Sequence, residues 1–459
     1  MRKTLFVLLA FFAAALPSAL AEKTAAPIPL EQIREFSDIY AAIKNYYVDE
    51  TEDAKLFEKA ISGLVSGLDP HSSFLNESDL AEMKELTQGE FGGLGMEVGM
   101  DATGVLVISP IDDTPAQKAG VLAGDIIIKI DGEATSGLTL NENVKRLRGK
   151  PGTKVELVIA RKGTDAPLTF HLVRDTIRIQ SVKSHLVEKD YLYVRISQFQ
   201  ERTANDLAQA VTEAFAKAPL KGVVLDLRNN PGGLLNAAIG VSAVFLPKDV
   251  SVVSTRGKNG AKIEDFRTLP QDYLWGDAKD RVAEVPEAAK KVPLAVIINA
   301  ASASASEIVS GALQDHGRAV IFGNRSFGKG SVQTILPLRR QSQKAPQIGI
   351  KITTARYFTP SGRTIQAKGI TPDVALWDTQ KGNFASFDIR EEDLAGHLTA
   401  ENVGKAAKEA KREAKPSAKK SAPEVKDVKA RYKFGSDADF QLKEVLRHFQ
   451  GEKLLTAAK

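Results

Sequence analysis

The stretch VIINAASASASEIVSGAL, residues 296–313, places Ser302, Ser304 and Ser306 between an apolar run and a helical pattern. At a strand-to-helix corner a serine hydroxyl lies beside the first backbone amides of a helix, whose partial positive charge stabilises an anion. Acyl transfer needs both parts, a nucleophile and donors for an oxyanion. Serine is also a preferred helix cap, so the stretch alone does not say which of the three reacts, if any. A second stretch, SFGKGSVQT at 326–334, supplies a base. Extended over 329–333, it puts Lys329, Ser331 and Gln333 on one face. Lysine takes a proton from serine only when neutral, so its pKa must fall from about 10.4 to roughly 7–8. Burial does this by disfavouring the ammonium form, and Phe322 and Phe327 are the apolar residues close by in sequence. Gln333 brings no charge that would restore the ammonium form, and its amide oxygen is an acceptor for the amine.

These residues need a frame. KGVVLDLR (221–228), PLAVIINA (293–300) and RAVIFG (318–323) read as buried strands, and LLNAAIGVSAVFL (234–246) and SEIVSGALQD (306–315) as helices. Strand–helix alternation predicts a parallel sheet with right-handed crossovers. Such sheets gather ligands at the carboxyl ends of their strands. The serine corner and the sharp NNPGG turn at 229–233 both fall there.

Upstream, residues 30–86 carry helical spacing, broken by the turn-rich DPHSSFL at 69–75. Residues 90–175 change to short strands, a short helix entered from Thr114 and a longer one ended by Gly149. That order resembles a PDZ domain. GLGM, residues 93–96, fits the carboxylate-binding loop of that family, and SPIDDTPAQKAGVLAGDIIIKIDG fits its middle section. Amides freed by Gly93 and Gly95 would form a concave anion site. A peptide's terminal carboxylate can sit there while its chain adds to the sheet edge. Leu94 and Met96 would frame an apolar pocket for its last side chain.

The first 21 residues read as a secretory leader. Arg2 and Lys3 precede an apolar run at 4–16, and Ala19 and Ala21 fit the small-x-small cleavage pattern. An exported, periplasmic protein follows as the expectation. With Glu22 after the cleavage point, a lipoprotein anchor is not expected. The chain has 459 residues and no cysteine, so its domains hold by core packing, and thiolate nucleophiles and thiolate zinc sites are excluded. Its net charge of +5 is local: residues 401–431 carry ten Lys or Arg against five Asp or Glu. The body is close to neutral, which gives no reason to expect nucleic acid. The basic tail reads as solvated and partly helical, with contact to an acidic membrane surface as the lesser alternative. Apolar stripes at 30–65 and in DFQLKEVLRHFQ, 439–450, are candidate assembly faces.

SASASEIVSGALQD with SFGKGSVQT resembles the active-site signature of the carboxyl-terminal processing peptidases, a serine protease family of S41 type. DLRNNPGG, DPHSSFL, ARYFTPSGRTIQAKGITPD at 355–373 and a PDZ domain ahead of the catalytic part also match it. The resemblance implies a multidomain chain: signal peptide 1–21, N-terminal helical region 22–87, inserted PDZ domain 88–175, an α/β protease core of ClpP/crotonase-like type at 176–380, and a basic, helical extension at 381–459. It places the nucleophile on Ser304, the lysine base on Lys329 and the completing glutamine on Gln333. Oxyanion donors are expected from Ala305 and from Gly232 or Gly233. It implies no metal or cofactor, and protein substrates with apolar C-termini held at Gly93, Leu94, Gly95 and Met96. Members form dimers or larger rings, some with an adaptor lipoprotein. In some an arginine relays PDZ occupancy to the protease; Arg148 is the candidate here, ahead of Arg146. Two rival readings stand beside it: a Ser–His–Asp hydrolase using His316 with Asp315 or Asp226, and a non-catalytic PDZ scaffold that binds protein tails.

Overall fold

A computed structural model describes residues 29–455, apart from 112, 259–260, 277, 339–346, 381, 385–388, 401–423 and 426–433. The expected leader and nearly all of the basic tail lie outside the described residues. Among the described residues no helix is long and apolar enough to cross a membrane. Two units divide the chain between Ala60 and Ile61. In the first, helix α1 (Leu30–Tyr46) faces the start of α2 (Asp53–Ser66), with Tyr40 and Phe57 ring centres 5.2 Å apart and Lys44 paired to Asp53 at 2.9 Å.

In the second unit, α3 (Glu77–Gln88) leads into the PDZ region. Its sheet has the order β3 (Met96–Met100), β4 (Val105–Pro110), β5 (Ile126–Ile130), β7 (Lys154–Ala160), β8 (Leu168–Val173), with β6 (Glu133–Ala134) turned back on β5. Asp131 and Gly132, both at positive φ, make the tight hairpin turn that the Asp-Gly pair predicts. Alternation in KVELVIA buries Val155, Leu157 and Ile159 beside Val105, Val107 and Ile127. Helices α4 (Pro115–Lys118) and α5 (Leu140–Leu147) cover this core, the latter started by a Thr139–Glu142 capping box. The chain reaches and leaves the domain through a two-stranded ribbon, β2 (Glu90–Gly93) against β9 (Asp175–Arg178).

The catalytic body has a six-stranded sheet, ordered β10 (Val182–Val187), β11 (Tyr191–Ile196), β12 (Gly222–Asp226), β15 (Leu294–Ile298), β16 (Val320–Gly323), β19 (Val374–Ala375). All but β10 run parallel, as the strand–helix alternation requires. Strands β12 and β15 are buried at every residue because both faces are covered. On one face lie α6 (Thr203–Lys217), α7 (Leu235–Phe245) and α9 (Ala305–Asp315), sharing a core with Leu192, Val194, Leu225 and Val296. On the other, Leu442, Val445 and Leu446 of α10 (Phe440–Phe449) pack on Tyr191, Tyr193, Val224 and Ile297. A second sheet runs β1 (Ser73–Leu75), β18 (Ile348–Phe358), β13 (Ser251–Arg256), β14 (Lys262–Arg267), with β17 (Ser331–Leu338) also on β18, and the short α8 (Pro270–Tyr273) follows β14.

Two sequence expectations change. The stripe of DFQLKEVLRHFQ is covered by this chain's own sheet and is not an assembly face; an amphipathic period shows that a face is buried, not against what. The end of the 381–459 extension therefore completes the protease core. DPHSSFL likewise ends in a strand, β1, paired with β18 far along the chain.

Candidate active site

Strand β15 ends at Ile298, and residues 299–304 turn the chain into α9. Two of the three serines are fully buried and stitch this corner to the neighbouring turn after β12. Ser302 Oγ donates to the Leu227 carbonyl at 2.8 Å and accepts from Asn299 N at 2.9 Å. Ser306 Oγ donates to the Asn230 carbonyl at 3.0 Å. Ser304 is the partly exposed one, with φ 54° and ψ −113° at the head of α9. An L-residue rarely takes that conformation, which costs on the order of 1–3 kcal/mol and persists where surroundings enforce it.

The facing turn is equally constrained. Asn230 Nδ2 donates to the Ile196 carbonyl and Asn230 Oδ1 accepts from Gly232 N, both at 2.9 Å. A Cβ on Gly232 would sit 2.7 Å from Ser304 Cβ and 3.0 Å from Ala305 N, so a side chain is sterically barred there. A Cβ on Gly233, at φ 143°, would sit 2.1 Å from the Phe199 carbonyl oxygen. Beneath the turn, the buried Arg228 guanidinium bonds Asp226, Asp439 and Gln441 and lies 4.0 Å from the centre of the Phe434 ring.

The lysine segment is laid directly on the serine corner. Phe327 N donates to the Ser302 carbonyl at 3.0 Å. Glu307, fully buried on α9, accepts from Ser304 N at 2.8 Å and Lys329 N at 2.9 Å through one oxygen. Its other oxygen accepts from Ser326 Oγ at 2.5 Å and Gly328 N at 2.7 Å. Burial lowers the Lys329 pKa, with the Lys351 charge acting the same way; Glu391, Glu307 and Asp69 oppose it without reversing the direction. Gln333 Nε2 donates to Ser331 Oγ at 2.9 Å and to Thr353 Oγ1 at 3.3 Å; of the three residues expected on one face, Ser331 and Gln333 share it, whereas Lys329 precedes the strand, which begins at Ser331.

The surroundings of the lysine differ from the expectation. Phe322 points to the other side of the sheet and packs with the α10 core, because neighbouring strand residues alternate faces. Beside the lysine instead stands the buried carboxylate of Glu391, whose two oxygens lie 3.0 and 2.8 Å from His71 Nε2. Glu391 N bonds the Phe327 carbonyl, Gln366 Nε2 bonds Glu391, and Gly330 N bonds Gln366 Oε1. No spacing rule joins His71 to Glu391 across 320 residues. Glu307 did leave a signal: Ser-x-x-Glu before an apolar run is a capping pattern. The rival base is elsewhere. His316 sits past the other end of α9, about 18 Å along the helix from Ser304, with Nε2 at 2.7 Å from the Ser251 carbonyl. Asp226 is spent on Arg228, and Asp315 pairs with Arg363.

In the PDZ region, Gly93 closes ribbon strand β2, and Gly95 turns at φ 76° with its carbonyl held by Thr114 Oγ1 at 2.9 Å. Leu94 is only 3% exposed and belongs to the domain core, with Met96 packed against it. Arg148, at the end of α5, reaches Glu85 of α3 at 2.8 Å and lies 4.9 Å from the Phe91 ring centre. Arg146 pairs with Glu133 inside the domain. Arg174, which sequence reasoning passed over, clasps the end of α5 through the Leu147 and Arg146 carbonyls.

Residues 190–376 match the model of peptidase family S41, residues 92–172 that of the PDZ domain, and residues 13–79 that of the activating protease CtpB N-terminal domain. The carboxy-terminal-processing protease of Bartonella bacilliformis is 47% identical over 373 residues, 80% of this chain and 81% of that one. This chain belongs to the carboxy-terminal processing proteases. It is 36% identical to the carboxy-terminal processing protease CtpB of Bacillus subtilis, over 73% of this chain and 66% of that relative. A solved photosystem II D1 C-terminal processing protease aligns with 76% of this chain and 93% of its own at 29% identity, with a TM-score of 0.42. As a carboxy-terminal processing protease the chain is a serine-type peptidase of S41 fold with a PDZ domain, a module that binds peptide C-termini. The scaffold reading is thereby set aside.

Proposed function

We propose that this protease cleaves peptide bonds with Ser304 as nucleophile, neutral Lys329 as base and Gln333 holding the lysine. The observation that carries this is the serine corner itself: Ser302 and Ser306 are buried and committed to backbone carbonyls, while Ser304 is partly exposed in a strained backbone beside the lysine segment. Lys329 Nζ takes the Ser304 proton as Oγ attacks the substrate carbonyl carbon. The oxyanion is received by the N–H of Ala305, which as the first residue of α9 has no partner within the helix, and by that of Gly233. Gly232 serves through its lack of a side chain, since its N–H is already given to Asn230. The C–N bond breaks, and Lys329 passes its proton to the leaving amine. Water then attacks the acyl ester with Lys329 again as base; the ester C–O bond breaks, Ser304 Oγ takes the proton back from Lys329, and the acid product leaves.

The PDZ domain would select apolar substrate C-termini, and Arg148 would pass its occupancy to α3 and the strand beneath it. The leader at 1–21 supports export to the periplasm, the exposed apolar residues of α1 support a homo-oligomer, and the basic tail supports contact with an acidic membrane surface or an acidic partner; an adaptor lipoprotein rests on the family resemblance alone. The test uses an unstructured peptide with an apolar C-terminus. Ser304→Ala and Lys329→Ala should each lower kcat/KM about a thousandfold or more, while His316→Ala stays within a few-fold. An active Ser304→Ala variant sinks the reading.

A further inference from the structure

Glu307 is a buried carboxylate for which the hydrolytic cycle has no task, yet it touches both sides of the site. Its two oxygens receive four donors: Ser304 N, Lys329 N, Gly328 N and Ser326 Oγ. The first holds the backbone of the strained corner, and the next two hold the segment that carries the lysine. Nothing else in the described residues bonds both Ser304 and Lys329 through one side chain. We infer that Glu307 is a positioning residue whose ionised carboxylate clips the serine corner to the lysine segment, so that the protease is assembled only while Glu307 is unprotonated. This inference rests on the Ser304–Lys329 reading above.

The chemistry of the four partners gives the clip its direction. An ionised carboxylate only accepts, and all four neighbours donate. A protonated Glu307 must donate once itself. The three backbone amides cannot accept, so the proton can go only to Ser326 Oγ, which accepts from Ile370 N at 2.6 Å and must then turn its own O–H away from the carboxylate. Protonation therefore reverses or breaks the Ser326 bond and removes the charge that strengthens the three amide bonds. Burial pushes the Glu307 pKa up to about 7, although the bonds from Ser326, Gly328, Ser304 and Lys329 pull it down. The clip thus opens near neutral pH, where an ordinary glutamate would stay ionised. The other ionisable groups around it are Lys329 on the bonded segment, Arg390, which donates to the Arg325 and Ser326 carbonyls, and Glu391, whose amide bonds Phe327. Across the corner Arg228 is fully engaged by Asp226 and Asp439, and at the far end of α9 Asp315 is paired with Arg363.

The experiment is a pH profile of peptide cleavage by the full chain from about pH 5 to 9. The wild type should lose activity on the acid side through two ionisations, Glu307 and Lys329, so that log kcat/KM approaches a slope of two. Glu307→Gln, checked for folding by circular dichroism, should lower kcat about tenfold to a hundredfold by loosening the alignment, leave KM within about twofold, and reduce the acid slope to one. A merely structural glutamate would change the folded fraction and leave the shape of the profile alone. Should Glu307→Gln fail to fold, Ser326→Ala serves. Loss of a donor to the carboxylate should move the acid limb up by about half a pH unit or more. A folded Glu307→Gln with the wild-type slope, or a Ser326→Ala limb that does not move, overturns the inference. If Ser304→Ala is inactive while either result occurs, only the clip is lost and the Ser–Lys reading stands.

Discussion

Two fully buried ionic centres flank the serine corner, and they are built in opposite ways. Under the turn after β12, Arg228 lies between Asp226 and Asp439, with Tyr193 Oη donating to Asp226 at 2.6 Å. Burial works against the Asp226 charge, but Arg228, Arg195 and Tyr193 outweigh it and hold the carboxyl below its usual range. At the head of α9, Glu307 receives only neutral donors, and burial wins. A cation makes a buried carboxylate permanent; dipoles alone leave it titratable near neutrality. The paired centre fastens α10 to the turn, whereas the unpaired one joins the two halves of the site.

The largest effect that could break this contrast is removal of the shared cation. Arg228→Ala takes the shared cation from two buried carboxylates, leaving Arg195 at 3.5 Å from Asp226, and should cost about 3–5 kcal/mol in guanidinium unfolding; a loss under about 1 kcal/mol would mean that the centre does not hold the fold. Acidification sharpens the contrast next. The folded pKa of Glu307 lies above its value near 4.5 in the unfolded chain, so the folded form takes up the extra proton first. Between about pH 7 and pH 5 the wild type should gain on the order of 2 kcal/mol relative to Glu307→Gln. Asp226 has a lowered folded pKa, so its contribution stays intact over that window and is lost only below about pH 4. A wild-type minus Glu307→Gln difference that is flat with pH would erase the distinction. Asp439→Asn keeps an acceptor for Leu442 N at the start of α10 but removes one of the two negative partners. It should cost about 1–2 kcal/mol by thermal unfolding. The smallest stability effect belongs to Arg148→Ala, whose ion pair with Glu85 is more than one-third exposed on both sides. Stability should change by under about 1 kcal/mol, while cleavage of apolar-tailed substrates falls severalfold and cleavage of untailed ones does not. Equal effects on both substrates would remove the relay.

Much of the site was legible because it is written in short contiguous runs. The corner at 299–304, the turn at 229–233 and the segment at 326–333 each announce themselves by local composition, and the parallel sheet follows from the alternation of apolar runs and helical patterns. Alternation also placed Ser331 and Gln333 on one face. The same reasoning misplaced Phe322, because proximity in sequence says nothing about which face of a sheet a residue meets. It offered the stripe of α10 as a candidate assembly face, where the sheet of the same chain takes it. It passed over His71 and Glu391, which meet across 320 residues.

The sequence by itself determined the family, the order of the domains, the strand-to-helix corner and the types of residue that gather there, since these depend on neighbours a few positions apart. Only the tertiary structure decided which serine is left exposed, what surrounds the lysine, and that a single carboxylate holds both. Those outcomes depend on which elements pack together, and burial, strain and pKa are set by that packing rather than by any local pattern.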